Sequence, residues 1–216
     1  KIQHMEVIIF IPILFLSIIL HEFAHGWVAY RMGDDTAYYA GRLTLNPLKH
    51  IDPVGTLVVP AVCYFLHFPL FGWAKPVPVN PMRFPRPRQD MGKVAAAGPA
   101  CNLLLAFICV LVMKIFLLTQ NHFTVQTLEQ VFVFLQYGMF INVFLAVFNL
   151  IPIPPLDGGR VVAALLPMRT AFKYELFFSR FGMWVVFALI LTGAVQFLLL
   201  PPTRIIVGLL SKILTL

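Results

Sequence analysis

The chain has 216 residues, 60% of them hydrophobic and only 12% charged, with a mean hydropathy of +0.86. Soluble domains carry roughly 25% charged residues, so too few polar side chains are present to cover a water-facing surface, and a soluble globule and a disordered chain are both excluded. The net charge of +7 falls in short loops between apolar runs, where Lys and Arg mark the cytoplasmic side of a membrane protein, and it does not call for nucleic acid.

The composition predicts an all-α polytopic membrane protein with one domain over 1–216. A spanning helix needs about 20 mainly apolar residues. Four runs qualify: 6–29, 94–118, 129–150 and 181–200. The stretch 7–20 has the character of a signal-peptide core, but HEFAHGWVAY follows where a small-residue cleavage site belongs, so it is read as part of the first span. Segment 31–53 alternates weakly at Tyr39, Gly41, Leu43 and Leu45, which predicts a small β-hairpin or an extended segment.

The next apolar stretch, 54–73, is interrupted by Gly55, Pro60, Pro69 and Gly72. It is flanked by Arg31, Arg42 and Lys49 on one side and by Lys75, Arg83, Arg86, Arg88 and Lys93 on the other. Two basic flanks belong on one side of the membrane, so this stretch is expected to enter and return as a re-entrant hairpin. Broken backbone at membrane depth has to be enclosed by protein or line a water-filled cavity. Segment 74–90 carries prolines at 76, 78, 81, 85 and 87 and reads as an extended cytoplasmic linker. After 200, Pro201 and Pro202 leave too little chain for a span, and 201–216 reads as an interfacial tail. Alternating the spans brings HEFAH at 21–25 and LDGG at 156–159 to the same cytoplasmic face. Cys63, Cys101 and Cys109 form no Cys-x-x-Cys pair, so neither a disulfide framework nor a sulfur metal site is expected.

HEFAH places two histidines four residues apart, one helical turn, on one face. His21 and His25 can then hold one zinc ion, with Glu22 beside that face as general base to a zinc-activated water. The alternative is a polar helix end, which is costly on so apolar a helix. A catalytic zinc needs a third protein ligand. His4 and His122 fall on the outer side, and His50 and His67 sit in no ligand-like pattern. Asp157, in NLIPIPPLDGGR, lies on backbone broken by Pro152, Pro154 and Pro155, next to Gly158 and Gly159. It serves either as the third ligand or as the cap of a short helix over 158–166. In AAAGPACN, Asn102 lies one turn beyond Gly98 and serves either as a polar handle in a packing seam or as a donor to a developing oxyanion. Asn149 is a similar case just before the prolines.

Three motifs, His21-Glu22-Phe-Ala-His25, Gly98-Pro-Ala-Cys-Asn102 and Asn149-Leu-Ile-Pro-Ile-Pro-Pro-Leu-Asp157-Gly158, occur in this order. Together they resemble the site-2 protease family of intramembrane zinc metalloproteases over about 20–170. The resemblance implies a three-helix catalytic core and one zinc per chain on His21, His25 and Asp157. It implies Glu22 as general base and Asn102 as a site residue. It also implies substrates that are membrane-bound proteins cut within transmembrane segments, in regulated proteolysis. The expected setting is a bacterial cell membrane with the site toward the cytoplasm. No segment is long enough for the extra peptide-binding or nucleotide-sensing domains of some members. A membrane zinc or cation transporter is the competing class, since it also places histidines and carboxylates on apolar helices, but no inverted repeat supports it. An unwound substrate strand is expected to be clamped by 31–53 or 54–73.

Overall fold

A computed structural model of the chain describes residues 2–66, 72–119 and 122–215. Helices dominate: α1 (Ile2–Arg31), α2 (Thr36–Tyr39), α3 (Val59–Phe65), α4 (Pro87–Leu118), α5 (Val125–Asn149), α6 (Asp157–Leu165), α7 (Met168–Leu191) and α8 (Ala194–Thr215). Among the described residues no β-strand is formed. Five helices, α1, α4, α5, α7 and α8, are long and apolar enough to cross a membrane.

The core is the packing of α4 against α1 and α5, with α6 laid on the first half of α4. Local signals set the ends of these helices. Pro87 opens α4, where a missing N–H costs nothing. The Thr124 hydroxyl accepts the Thr127 N–H and starts α5. Pro152, Pro154 and Pro155 stop the chain from continuing α5. Ala106, Val110 and Met113 of α4 pack on Met139 and Val143 of α5, and Ile206, Val207 and Leu210 of α8 close over them.

The C-terminal part departs from expectation. The run 181–200 is not one helix, because Gly193 adopts φ +72° and ends α7 in a left-handed turn, with its N–H donating to Ile190 O at 3.1 Å. The segment 201–216 is no separate tail. Pro201 and Pro202 lie inside α8, and the Lys114 ammonium of α4 donates to Leu214 O at 3.2 Å. That contact brings the C-terminal end of α8 to the C-terminal part of α4. Packing against α4 and α5 offsets the helix cost of the two prolines, which the sequence does not display.

Segment 31–53 holds α2 and one 3₁₀ turn at Pro47–Lys49, and it forms no hairpin. Gly33 (φ +103°) and Gly41 (φ +62°) bend the chain on both sides of α2, which defeats the weak alternation. Segment 54–73 does return on itself. Trp73 N–H donates to Gly55 O at 3.1 Å, and the Thr56 hydroxyl donates to Trp73 O at 3.0 Å. Val54, Leu57, Val58, Val62 and Phe65 face outward from it, an apolar surface suited to lipid. Residues 67–71 of this segment, His67 and Pro69 among them, lie outside the described residues.

Candidate metal centre

The helix period brings His21 and His25 to one side of α1, and α6 delivers Asp157 to the same point. His21 Nε2 lies 3.0 Å from His25 Nε2, and Asp157 Oδ2 lies 3.1 Å and 3.2 Å from these two atoms. All three residues are buried, and among the described residues they form the group of His, Cys, Asp and Glu able to share a metal ion.

The protons on this cluster follow from its neighbours. His25 Nδ1 sits 2.7 Å from Val94 O, which only accepts, so in the neutral ring Nδ1 carries the proton and Nε2 keeps its lone pair. His21 Nδ1 sits 2.5 Å from Asn102 Oδ1, with the same result for its ring. Asp157 Oδ2 is buried with no hydrogen-bond donor. With both rings neutral, three lone-pair atoms face one another, an arrangement that a cation satisfies. Tetrahedral zinc bonds of about 2.0–2.2 Å set ligand atoms about 3.3–3.6 Å apart. The observed edges of 3.0–3.2 Å are a few tenths of an ångström shorter. The residues fit a small tetrahedral ion.

Backbone room for the cluster comes from glycine. A Cβ on Gly98 would lie 2.5 Å from both His21 Cε1 and His25 Nε2. Gly98→Ala is therefore expected to push the two rings apart and weaken zinc binding about tenfold or more, within the range for disturbed metal-site partners. Competition with a chromogenic chelator reads this directly, and unchanged affinity would show that the rings have slack.

Asp157 is set by the fold of 150–166. It occupies the first helical position of α6, and the cap residue is Leu156, with no side-chain capping bond. The capping reading of Asp157 therefore does not hold. The loop before it is folded tightly onto α6: a Cβ on Gly158 would meet Leu150 O at 2.2 Å, and one on Gly159 would meet Pro154 N at 2.3 Å. From α7, the Tyr174 hydroxyl donates to Pro152 O at 2.8 Å, and Gly182 lies directly against Pro154 O. From α4, the Arg88 guanidinium donates to Leu166 O at 2.5 Å, a cation on the C-terminal end of α6. Gly92 of α4 lets Ala164 approach closely.

Glu22 is half-buried, and its Oε2 accepts the Val77 N–H at 2.8 Å. The backbone that docks on Glu22 thus lies in the proline-rich linker, at 74–79. The N–H groups of Trp73, Lys75, Val77 and Asn80, on and flanking this stretch, are all engaged. Lys75 N–H donates to His50 O at 2.9 Å, and the buried Arg42 donates to Lys75 O at 2.6 Å. Asn80 N–H donates to the buried Asp34 Oδ2 at 2.6 Å. The pattern Lys-Pro-Val-Pro-Val already carries this signal, since prolines 76 and 78 leave N–H groups on one edge only.

The structure separates the other candidates. Asn102 is fully buried, and its amide donates to Asn142 Oδ1 at 2.8 Å, so the group read as an oxyanion donor is already engaged. Asn149 donates to Leu145 O at 3.0 Å within α5. His50 Nε2 lies 2.8 Å from Thr44 O and is not part of the cluster. The three cysteines are free, and Cys101 donates weakly to Leu20 O.

Comparison with known proteins fits this geometry. The family model of peptidase family M50 matches residues 9–193. YwhC of Bacillus subtilis, named as a candidate zinc metalloprotease, is 43% identical over 159 residues, covering 71% of this chain and 67% of that protein. Rip2 of Mycolicibacterium smegmatis, named in the same way, is 34% identical over 66% of this chain and 51% of its own length. MJ0611 of Methanocaldococcus jannaschii, also named as a candidate zinc metalloprotease, is 30% identical over 67% of this chain and 63% of its own length. The chain thus spans from half to two thirds of these relatives. No solved structure matches it significantly. The family match runs through all three motif-bearing segments, and the chain belongs to peptidase family M50, the site-2 protease family.

Proposed function

We propose that this chain is a zinc-dependent intramembrane endopeptidase that cuts membrane-bound proteins within or near their transmembrane segments. The observation that carries the reading is the convergence of His21 Nε2, His25 Nε2 and Asp157 Oδ2 within 3.2 Å, with Glu22 next along α1. The names of the relatives, candidate zinc metalloproteases, support zinc as the ion. Two imidazoles and a carboxylate suit it. Bound there, zinc supplies a Lewis acid and lowers the pKa of a water toward neutrality.

The chain's own residues do the rest. His21, His25 and Asp157 hold the ion. Glu22 takes the proton of the attacking water and passes it to the leaving amine, with the Val77 N–H fixing the carboxylate. A substrate helix has to unwind first, since its own hydrogen bonds shield the carbonyl. The site lies among helices long and apolar enough to span, so the substrate arrives through lipid. Basic loops at this end, Arg31 to Lys49 and Lys75 to Lys93, orient it toward the cytoplasm of a bacterial cell membrane. Regulated release of a membrane-tethered protein is the role such a cut serves.

Reconstitution in vesicles with a fluorogenic transmembrane peptide tests the reading against transport. Zinc-dependent cleavage without zinc entry into the vesicle lumen is the expected result. Zinc flux without cleavage would replace the peptidase by a transporter.

A further inference from the structure

Ser17 of α1 and Asn142 of α5 are among the buried polar residues of the spanning helices that the mechanism does not use. Both join a chain of hydrogen bonds that ends on a ligand. The Ser17 hydroxyl donates to Ile13 O at 2.8 Å. Asn142 Nδ2 lies 3.0 Å from Ser17 Oγ and 2.8 Å from Gly138 O. Asn142 Oδ1 accepts from Asn102 Nδ2 at 2.8 Å. Asn102 Oδ1 faces His21 Nδ1 at 2.5 Å.

The direction of this chain is fixed from its far end. Ile13 O and Gly138 O are main-chain carbonyls and only accept. The Ser17 hydroxyl spends its proton on Ile13 O and has to accept from Asn142. Asn142 then turns its amide nitrogen toward both Ser17 and Gly138 O, which leaves its oxygen for Asn102. Asn102 has to present its nitrogen to that oxygen, which turns its own oxygen toward His21. In the neutral ring, His21 therefore carries its proton on Nδ1 and keeps Nε2 free. Amide orientations are assigned from such networks, and this network admits one. Ser17, Asn102 and Asn142 are 3%, 0% and 3% exposed, so no bulk water relaxes the constraint. Turning Asn102 over would set two carbonyl oxygens face to face and move the His21 proton onto the ligand nitrogen, at the cost of unpaired buried groups.

We infer that Asn142 is a positioning residue for the metal centre, holding the Asn102 amide in the one orientation that fixes the His21 tautomer. The inference rests on the metallopeptidase reading for its consequence, but the tautomer itself is a property of the metal-free chain.

The test uses ¹⁵N-histidine-labelled, metal-free protein in detergent, with the His21 signals assigned by their loss in His21→Ala. In the wild type, the proton is expected on Nδ1. In Asn142→Leu, the ring is expected to shift wholly or partly to the Nε2–H form. Zinc affinity, read by chelator competition, is expected to fall about 10- to 100-fold, the range for a lost partner behind a ligand. Leucine of similar size keeps the helix packing, and the melting temperature of the metal-free variant monitors this. A wild-type ring protonated on Nε2 overturns the inference without any variant. An Asn142→Leu variant with unchanged tautomer and affinity within threefold of wild type overturns it too. If neither protein binds zinc, the proposed function fails, while the tautomer comparison still decides the role of Asn142.

Discussion

Glu22→Gln is expected to stop peptide hydrolysis and leave zinc in place. The side chain takes no part in the three-atom cluster; its Oε2 is held by the Val77 N–H at 2.8 Å. Glutamine keeps an oxygen that accepts the same N–H, so the segment 74–79 stays docked on α1. What is lost is the ability to take a proton. A positioned general base contributes about 10²–10⁴ in rate, or roughly 3–5 kcal/mol of barrier. The assay is the initial rate on a transmembrane peptide, together with metal analysis of the same preparation. A variant that keeps more than a tenth of the rate would assign the base elsewhere. A variant that loses its zinc would make Glu22 a ligand.

The parts of this site that the sequence displays are those set by periodicity. His21 and His25 share a face because the helix repeats every 3.6 residues, and no tertiary information is needed to say so. Asp157 is legible one step less directly: prolines 152, 154 and 155 announce a break, but only the docking of α6 on α4 through Gly92 and Arg88 shows where the carboxylate goes. Asn102 was visible as a polar residue in an apolar helix, with its partner unspecified. Asn142 and Ser17 carried the same signal, since polar side chains on spanning helices turn toward the bundle. Val77 left a fainter trace: prolines 76 and 78 leave N–H groups on one edge only, but nothing local names the carboxylate that accepts from it.

The misread boundaries have a shared cause. The alternation in 31–53 is a local pattern, and Gly33, Gly41 and the Asp34 side chain, which accepts Thr36 N–H at 3.1 Å, override it locally. Gly193 sits inside an apolar run that shows no break, and its positive φ is what ends α7. Pro201 and Pro202 look like a stop, yet α8 continues through them because α4 and α5 supply the packing. In each case the deciding contact lies outside the window that a local pattern can see.

Asp157→Ala is expected to abolish zinc binding without unfolding the protein. In the proposed site the carboxylate is one of three ligand atoms, and the remaining pair of imidazoles falls below the three protein ligands of catalytic zinc sites. The loss should exceed the 10- to 100-fold, roughly, that follows removal of a mere partner behind a ligand. The helix that carries Asp157 should survive. Its carboxylate caps nothing, and α6 is held instead by Arg88 on Leu166 O and by the close approach of Gly158 to Leu150 O. Removing the carboxylate also takes away the anion that pairs with His21 and His25 in the metal-free state, so the metal-free variant should melt at or slightly below the wild-type temperature. Thermal unfolding with and without zinc separates these effects. At zinc near 100 times the dissociation constant, the wild type should gain about 2.7 kcal/mol, Glu22→Gln should gain the same, and Asp157→Ala should gain nothing. A zinc-induced shift that persists in Asp157→Ala would move the third ligand off α6. The tight fold of 150–159, with a Cβ excluded at Gly158 and Gly159, would then need a different purpose from aiming one carboxylate at two histidines.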